Sequence, residues 1–150
     1  MPVVFSHRPF AALSLMELHD ILWLRNEVFV VGQKITDEAE VDGHDPECTH
    51  VFGVDAGSGH TVATARVFLA KTPVKVGRVA VARECQRGGV GTELMQVVHE
   101  VIGARDAALS AQAYLQGWYE RLGWIAEGEI YHEAGIPHIW MVRPATAASR

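Results

Sequence analysis

The chain has 150 residues, 49% of them apolar and 21% charged, with a formal net charge of -5. That length suits one domain with room for a real core, and the acidic balance speaks against a nucleic-acid partner, whose ligands carry a basic surplus. No apolar run is long enough to span a bilayer, and residues 1–8 lack the basic-then-apolar layout of a signal peptide. Cys48 and Cys85 form no C-x-x-C pair, so two free thiols in a cytoplasmic protein are expected. Residues 1–150 are expected to fold as one domain, with 145–150 as a flexible tail.

In chain order, residues 3–5 predict a short strand and Pro9-Phe10-Ala11-Ala12 a connector. Ser14-Leu15-Met16-Glu17 spells a capping box, Ser at the N-cap and Glu three residues on. The helix it opens directs Leu15, Leu18, Ile21, Leu22, Val28 and Phe29 to the core, and Gly32 stops it. Residues 34–46 are polar and acidic (Asp37, Glu38, Glu40, Asp42, Asp45): a solvated loop, or a substrate-facing rim with a preference for cations. Asp42, His44, Asp45, Cys48 and His50 include metal-ligating types, but their spacing matches no standard pattern and no metal is expected. Residues 49–55 and 61–69 form an antiparallel hairpin around Ala56-Gly57-Ser58-Gly59. On its second strand Arg66 shares a face with Thr64 and Phe68. An arginine in mid-strand is either salt-bridged within the sheet or turned to a ligand. Thr72-Pro73 leads into a fourth strand at 75–82.

A glycine turn follows, Gln86-Arg87-Gly88-Gly89-Val90-Gly91. Beyond it Leu94, Val97, Val98, Val101 and Ile102 fall at i, i+3, i+4, i+7 and i+8, one apolar stripe on a helix. The first turn of such a helix has free N–H groups and partial positive charge, which together attract an anion. Without Cβ atoms in the way, a phosphate can come close to the backbone. A P-loop would need Lys-Ser/Thr after its last glycine, and Gly91 is followed by Thr92-Glu93. A dinucleotide fingerprint would need glycine where Leu94 stands. The pattern matched throughout is Q/R-x-x-G-x-G/A; a tight connection with no ligand is the other reading.

Residues 107–112 read as a fifth strand and 114–122 as a short helix with Gly123 as its C-cap. Residues 124–132 and 138–142 make a last hairpin around Gly135-Ile136-Pro137. Hairpins thus flank a β-α-β-α core, a mixed sheet carrying helices.

The glycine turn resembles the acetyl-CoA motif of the GNAT acetyltransferase superfamily. A second GNAT-like signature runs from the amide Gln112 through the aromatic pair Trp118-Tyr119 to Gly123-Trp124. The chain is also similar, end to end, to the ElaA-like branch at Leu24-Arg25-Asn26-Glu27-Val28-Phe29-Val30-Val31, Val41-Asp42-Gly43, Gly77-Arg78-Val79, Ser110-Ala111-Gln112-Ala113 and Ile136-Pro137-His138-Ile139. It departs from that branch around Gln33: Gly32 stands where Glu is usual, and Lys34-Ile35-Thr36 where Cys-Pro-Tyr is usual.

The resemblance implies an α/β (mixed α+β) fold: a central mixed, mostly antiparallel sheet of about seven strands, helices on both faces, and a splayed fourth/fifth strand pair. It implies an acetyl-CoA-dependent N-acetyltransferase acting on a primary amine, small molecule or peptide, in a ternary complex. The alternative is an acyl-CoA-binding sensor that transfers nothing. Val79, Ala80 and Val81 would bind the pantetheine arm through their backbone. Gln86, Arg87, Gly88, Gly89, Val90, Gly91 and Thr92 would hold the pyrophosphate. Gln112 would frame the pocket, and Tyr119 would protonate the departing thiolate. His50, Arg66 and His138 are candidates on the acceptor side, with the base open among His50, His138 and the acids of the 37–45 loop. Acetyl-CoA and an amine are the expected partners, with no metal, nucleic acid or membrane, in a monomer or homodimer. A base matters because a lysine-type amine is neutral in roughly one molecule in 2,500 at pH 7, an α-amine in roughly one in ten.

Overall fold

In the computed structural model residues 2–146 are described. The elements run β1 (Val3–Pro9), α1 (Leu15–Arg25), β2 (Thr49–Asp55), β3 (Thr61–Phe68), β4 (Val74–Val81), α2 (Val90–Ile102), β5 (Ala107–Gln112), α3 (Gln116–Arg121), β6 (Ile125–Glu133) and β7 (Ile136–Arg143). All strands join one sheet in the order β1-β2-β3-β4-β5-β7-β6. Among the described residues only β4 and β5 run parallel.

Strand register sorts the side chains onto two faces. Val51 opposite Ala65 and Thr49 opposite Val67 set one face, which α2 covers with Leu94, Met95, Val98 and Ile102. The expected stripe on α2 is therefore the core contact. His50 opposite Arg66 and Phe52 opposite Thr64 set the other face, where Arg25 of α1 reaches the same carboxylate as Arg66. The capping box on α1 forms as read: the Glu17 N–H donates to Ser14 Oγ at 3.0 Å and the Ser14 N–H to Glu17 Oε1 at 2.9 Å. Such caps contribute about 1 kcal/mol.

Several boundaries differ from expectation. The first strand continues to Pro9 because β2 offers it a full antiparallel partner. The first helix is α-helical only to Arg25; a wider π-helical turn continues over Asn26–Gly32, where the Gln33 N–H reaches back to the Val28 carbonyl at 3.1 Å. The final hairpin turns on Ala134-Gly135, with φ of 53° and 74°, so Ile136 and Pro137 belong to β7. Two positive φ values suit the tight turn that matches strand twist. Of the predicted tail, the Ala145 and Thr146 N–H groups bond to Asp106 and Ala104, and 147–150 lie outside the described residues.

The feature that shapes the site is a defect in the sheet. β4 and β5 pair from Val74–Ala107 to Val76–Leu109 and then separate, although β4 runs on to Val81 and β5 to Gln112. On its other side β4 bulges. Between the Arg66–Gly77 and Thr64–Ala80 pairs, β4 spends one residue more than β3, and Arg78 takes φ 50°. A bulge of this kind bends and twists its strand, which carries β4 away from β5.

One pH effect follows from the core. His99 of α2 is half-buried, and its Nε2 accepts the Trp124 indole N–H at 3.0 Å, which requires an uncharged ring. Burial pushes this imidazole down to about 4. The unfolded ring protonates near pH 6.5, so its stabilisation is whole above that pH and drains as pH falls toward 4. Urea unfolding from pH 7 to 4 should show stability falling across that window. His99→Gln still accepts the indole proton and should flatten the slope; equal slopes in both proteins would clear the ring of the effect.

Candidate active site

Where β4 and β5 part, a cleft of about 670 Å³ opens, within the size range of ligand sites. Val79, Ala80 and Val81 line one side of it, and Ser110 and Gln112 at the end of β5 line another. The glycine turn and helix start contribute Gln86, Arg87, Gly89, Gly91 and Thr92. Gly88 and Val90 are not in the lining: the Gly88 N–H is turned back to the Cys85 carbonyl at 3.3 Å, and the side chain of Val90, the first residue of α2, is buried in the core.

Gly89 is the N-cap of α2, in the left-handed region at φ 82°, and no side chain caps the helix. The first-turn N–H groups are therefore left to the cleft. Gly91 is glycine for a packing reason. A Cβ there would stand 3.2 Å from the Trp118 ring and 3.6 Å from Val81. Gln86 is a brace: its Nε2 donates to the Val81 carbonyl at 3.1 Å, tying the turn to the end of β4. Arg87 and Arg121 also line the cleft, and neither is ion-paired among the described residues. Arg121 escaped the sequence reading because a basic residue in a last helical turn is what any helix favours.

Tyr119 of α3 lines the cleft and is 4% exposed. Burial, reinforced by Tyr114, pushes its phenol above the ordinary value, so the phenol holds its proton at neutral pH. Trp118 meets it edge-on at 4.8 Å. Across the cleft, Gln33 and Gln112 form a reciprocal amide pair. Gln33 Nε2 donates to Gln112 Oε1 at 3.0 Å, and Gln112 Nε2 to Gln33 Oε1 at 2.9 Å. The pair joins the end of the π-turn to the end of β5. Val28 and Phe29, expected in the core, are half-buried and line this end of the cleft.

The acidic loop divides in two. Asp37 and Glu38 are exposed to solvent, and Glu38 and Glu40 reach the cleft lining; the carboxylates of Glu40, Asp42 and Asp45 are taken by three arginines. Arg25 bonds Glu40 at 2.8 Å and Asp45 at 2.7 Å. Arg66 bonds Asp42 at 2.6 Å and Asp45 at 3.0 Å, and Arg78 bonds Glu40 at 2.7 Å. The Arg66 hydrogen bonds hold Asp42 well below the usual carboxylate range. Burial alone would raise Asp45, yet Arg25 and Arg66 pull it below its ordinary value. Arg66 is thus a salt-bridged sheet residue outside the cleft lining. His50 also lies outside it, wholly buried on β2, with Nε2 on the Asp45 carbonyl at 3.0 Å. Cys48 is sealed nearby, its thiol pushed up to about 11 by burial. No group of three or more His, Cys, Asp or Glu among the described residues is placed to hold a metal ion. Among them, too, no helix is long and apolar enough to cross a membrane.

His138 does reach the cleft, beside Ser110, Gln112 and Glu133. The sheet explains why: His138 pairs with Gln112 on one side and Tyr131 on the other, so all three side chains share a face.

Comparison with known proteins agrees with this geometry. The family model described as "Acetyltransferase (GNAT) domain" matches residues 33–144. A UPF0039 protein of Schizosaccharomyces pombe is 36% identical over 143 residues, 91% of this chain and 94% of that protein. The protein ElaA of Escherichia coli is 35% identical over 145 residues, 91% of this chain and 93% of its own. Its crystal structure superposes with a TM-score of 0.86 and 32% identity, covering 95% of this chain and 99% of that one. An acyl-CoA N-acyltransferase from Pseudomonas aeruginosa superposes with a TM-score of 0.84 at 35% identity, again over 95% and 99%. The open amides at Gly89, the parted strands and these likenesses converge: the chain belongs to the GNAT acetyltransferase family and groups with the ElaA-like proteins.

Proposed function

We propose that the protein is an acetyl-CoA-dependent N-acetyltransferase that moves an acetyl group to a primary amine by direct attack in a ternary complex. The observation that carries this is the parting of β4 and β5 next to an uncapped helix start. The residues fit a CoA thioester. Open amides from Gly89 to Thr92 suit a diphosphate, and Arg87 and Arg121 are free to add charge. The separated edge of β4 from Val79 to Val81 leaves peptide groups for an amide-bearing arm. Bound there, the thioester supplies an already activated acyl group.

What remains for the chain is alignment and proton control. Fixing amine and carbonyl in one geometry can lower a barrier by about 7–11 kcal/mol. Tyr119, protonated and cleft-lining, would give its proton to the sulfur as the C–S bond breaks. A buried phenol is a weak acid, so the transfer suits a thiolate whose own charge is raised in energy by the same apolar surroundings.

The test is to incubate the protein with acetyl-CoA and a panel of amines and follow free thiol. Amine-dependent release is the expected result. CoA binding with no release from any amine would make the protein an acyl-CoA-binding module instead. Tyr119→Phe should lower kcat by about a hundredfold or more while the Kd for CoA changes less than about twofold; unaltered turnover removes Tyr119 from the acid role.

A further inference from the structure

The acyltransfer reading leaves the amine's proton without a destination. Most candidates are already committed. Glu40, Asp42 and Asp45 are held by arginines. His50 is buried away from the cleft. Glu38 lines the cleft but is exposed to solvent, and no described residue holds its carboxylate in place. His138 differs from all of these. It lines the cleft, is 6% exposed, and its ring is fixed.

The tautomer follows from its partner. Nδ1 lies 2.7 Å from the Ile136 carbonyl, which can only accept, so Nδ1 carries the hydrogen. In the neutral ring Nε2 is then a bare lone pair. Nε2 stands 3.9 Å from Glu133 Oε2, too far for a hydrogen bond and near enough to steady a positive ring. Glu133 is itself positioned. Ser110 Oγ donates to its Oε1 at 3.2 Å, and Ser110 and Tyr131 share a further hydrogen bond. The Tyr131 ring lies nearly parallel to the imidazole, at 26° and 6.3 Å between centroids. The remaining neighbour, Gln112 of β5, is neutral and engaged with Gln33.

We propose that His138 Nε2 is the general base for the acceptor amine, with Glu133 as the positioning carboxylate that stabilises the imidazolium. This rests on the acyltransferase reading above. The amine lone pair forms the C–N bond to the thioester carbonyl carbon, and the N–H proton passes to His138 Nε2. The C–S bond breaks, and the thiolate takes the Tyr119 proton. The imidazolium then returns its proton to solvent as the phenol is reprotonated. Amine and thioester go in; amide and free thiol come out.

The test uses the full chain, acetyl-CoA, and two probe amines, glycinamide for the α-amine class and n-butylamine for the lysine-like class. His138→Gln keeps a neutral polar side chain of similar size but cannot take a proton. It should lower kcat at least about a hundredfold with the KM for acetyl-CoA within about twofold. The pH profile separates chemistry from structure. In the parent protein, log kcat/KM for the amine should fall at acid pH with a slope of about two, one ionisation from the amine and one from the imidazole; in His138→Gln the slope should be about one. Added imidazole should partly restore His138→Ala, and Glu133→Gln should lower kcat severalfold. A parent protein that turns over while His138→Gln keeps its rate and its slope overturns the base assignment alone. No amine-dependent thiol release from the parent protein overturns both the base and the acyltransferase reading.

Discussion

Gly89→Glu is expected to weaken CoA binding by on the order of a thousandfold while the chain still folds. Gly89 is the N-cap of α2 at φ 82°, and a Cβ built there meets nothing within 4 Å. The added Cβ therefore meets no clash. It does cost about 1–2 kcal/mol of left-handed strain, which a domain stable by roughly 5–15 kcal/mol tolerates. The new carboxylate stands where a diphosphate would meet the open amides. Two like charges about 4 Å apart repel by about 4 kcal/mol at an effective dielectric of ~20, and each 1.4 kcal/mol is roughly tenfold in affinity. Gly89→Ala is the matched control, with the same strain and no charge, and should bind CoA within about tenfold of the parent. Calorimetric titration with CoA measures both. If the glutamate and alanine variants bind alike, the anion is not held at this corner.

That corner was legible because its signals are local. A glycine turn, a 3.6-residue stripe on α2 and alternating strands lie within short windows, and short windows are what periodicity reads. The parting of β4 and β5 was reached only through family likeness. Its physical source is a one-residue bulge at Arg78, a residue with no special liking for φ 50°. The acidic loop misled for a different reason. Five carboxylates in a polar stretch look solvated, as Asp37 and Glu38 are, and nothing nearby announces that Arg25, Arg66 and Arg78 wait 15 to 38 residues away for the other three. The Gln33–Gln112 pair spans 79 residues of sequence and leaves no local trace. Arg66 and His50 were open to either a structural or a ligand-facing role; the arginine network settles the first for Arg66, and burial on β2 keeps His50 from the cleft.

Asp45→Ala is expected to destabilise the fold by about 3–5 kcal/mol. Asp45 Oδ1 accepts from both Arg25 and Arg66, and its Oδ2 from Arg25 at 3.3 Å. Both guanidiniums are nearly sealed from water, with side chains 1% and 7% exposed. Removing the carboxylate leaves Arg25 with Glu40 and Arg66 with Asp42, so the cluster keeps three arginines for two carboxylates, and a buried positive charge in excess costs far more than an ion pair itself contributes. For a chain of this size that corresponds to a melting temperature lower by about 10 °C or more. Glu47→Ala supplies the contrast. It breaks the His44–Glu47 contact at 2.6 Å, but those side chains are 54% and 49% exposed, and such a surface pair contributes at most about 1 kcal/mol. The Asp45 contribution has a pH signature as well. Its carboxyl is held below the ordinary value, so the stabilisation is present above pH ~3.9 and is lost as pH falls beneath that. The loss should also reach the cleft, because Glu40 links Arg25 of α1 to Arg78 at the β4 bulge, and a loosened loop gives up that link. Thermal melts of the two variants decide the matter: if Asp45→Ala unfolds no earlier than Glu47→Ala, the buried arginines do not depend on this carboxylate, and the loop is held to the sheet by something other than charge.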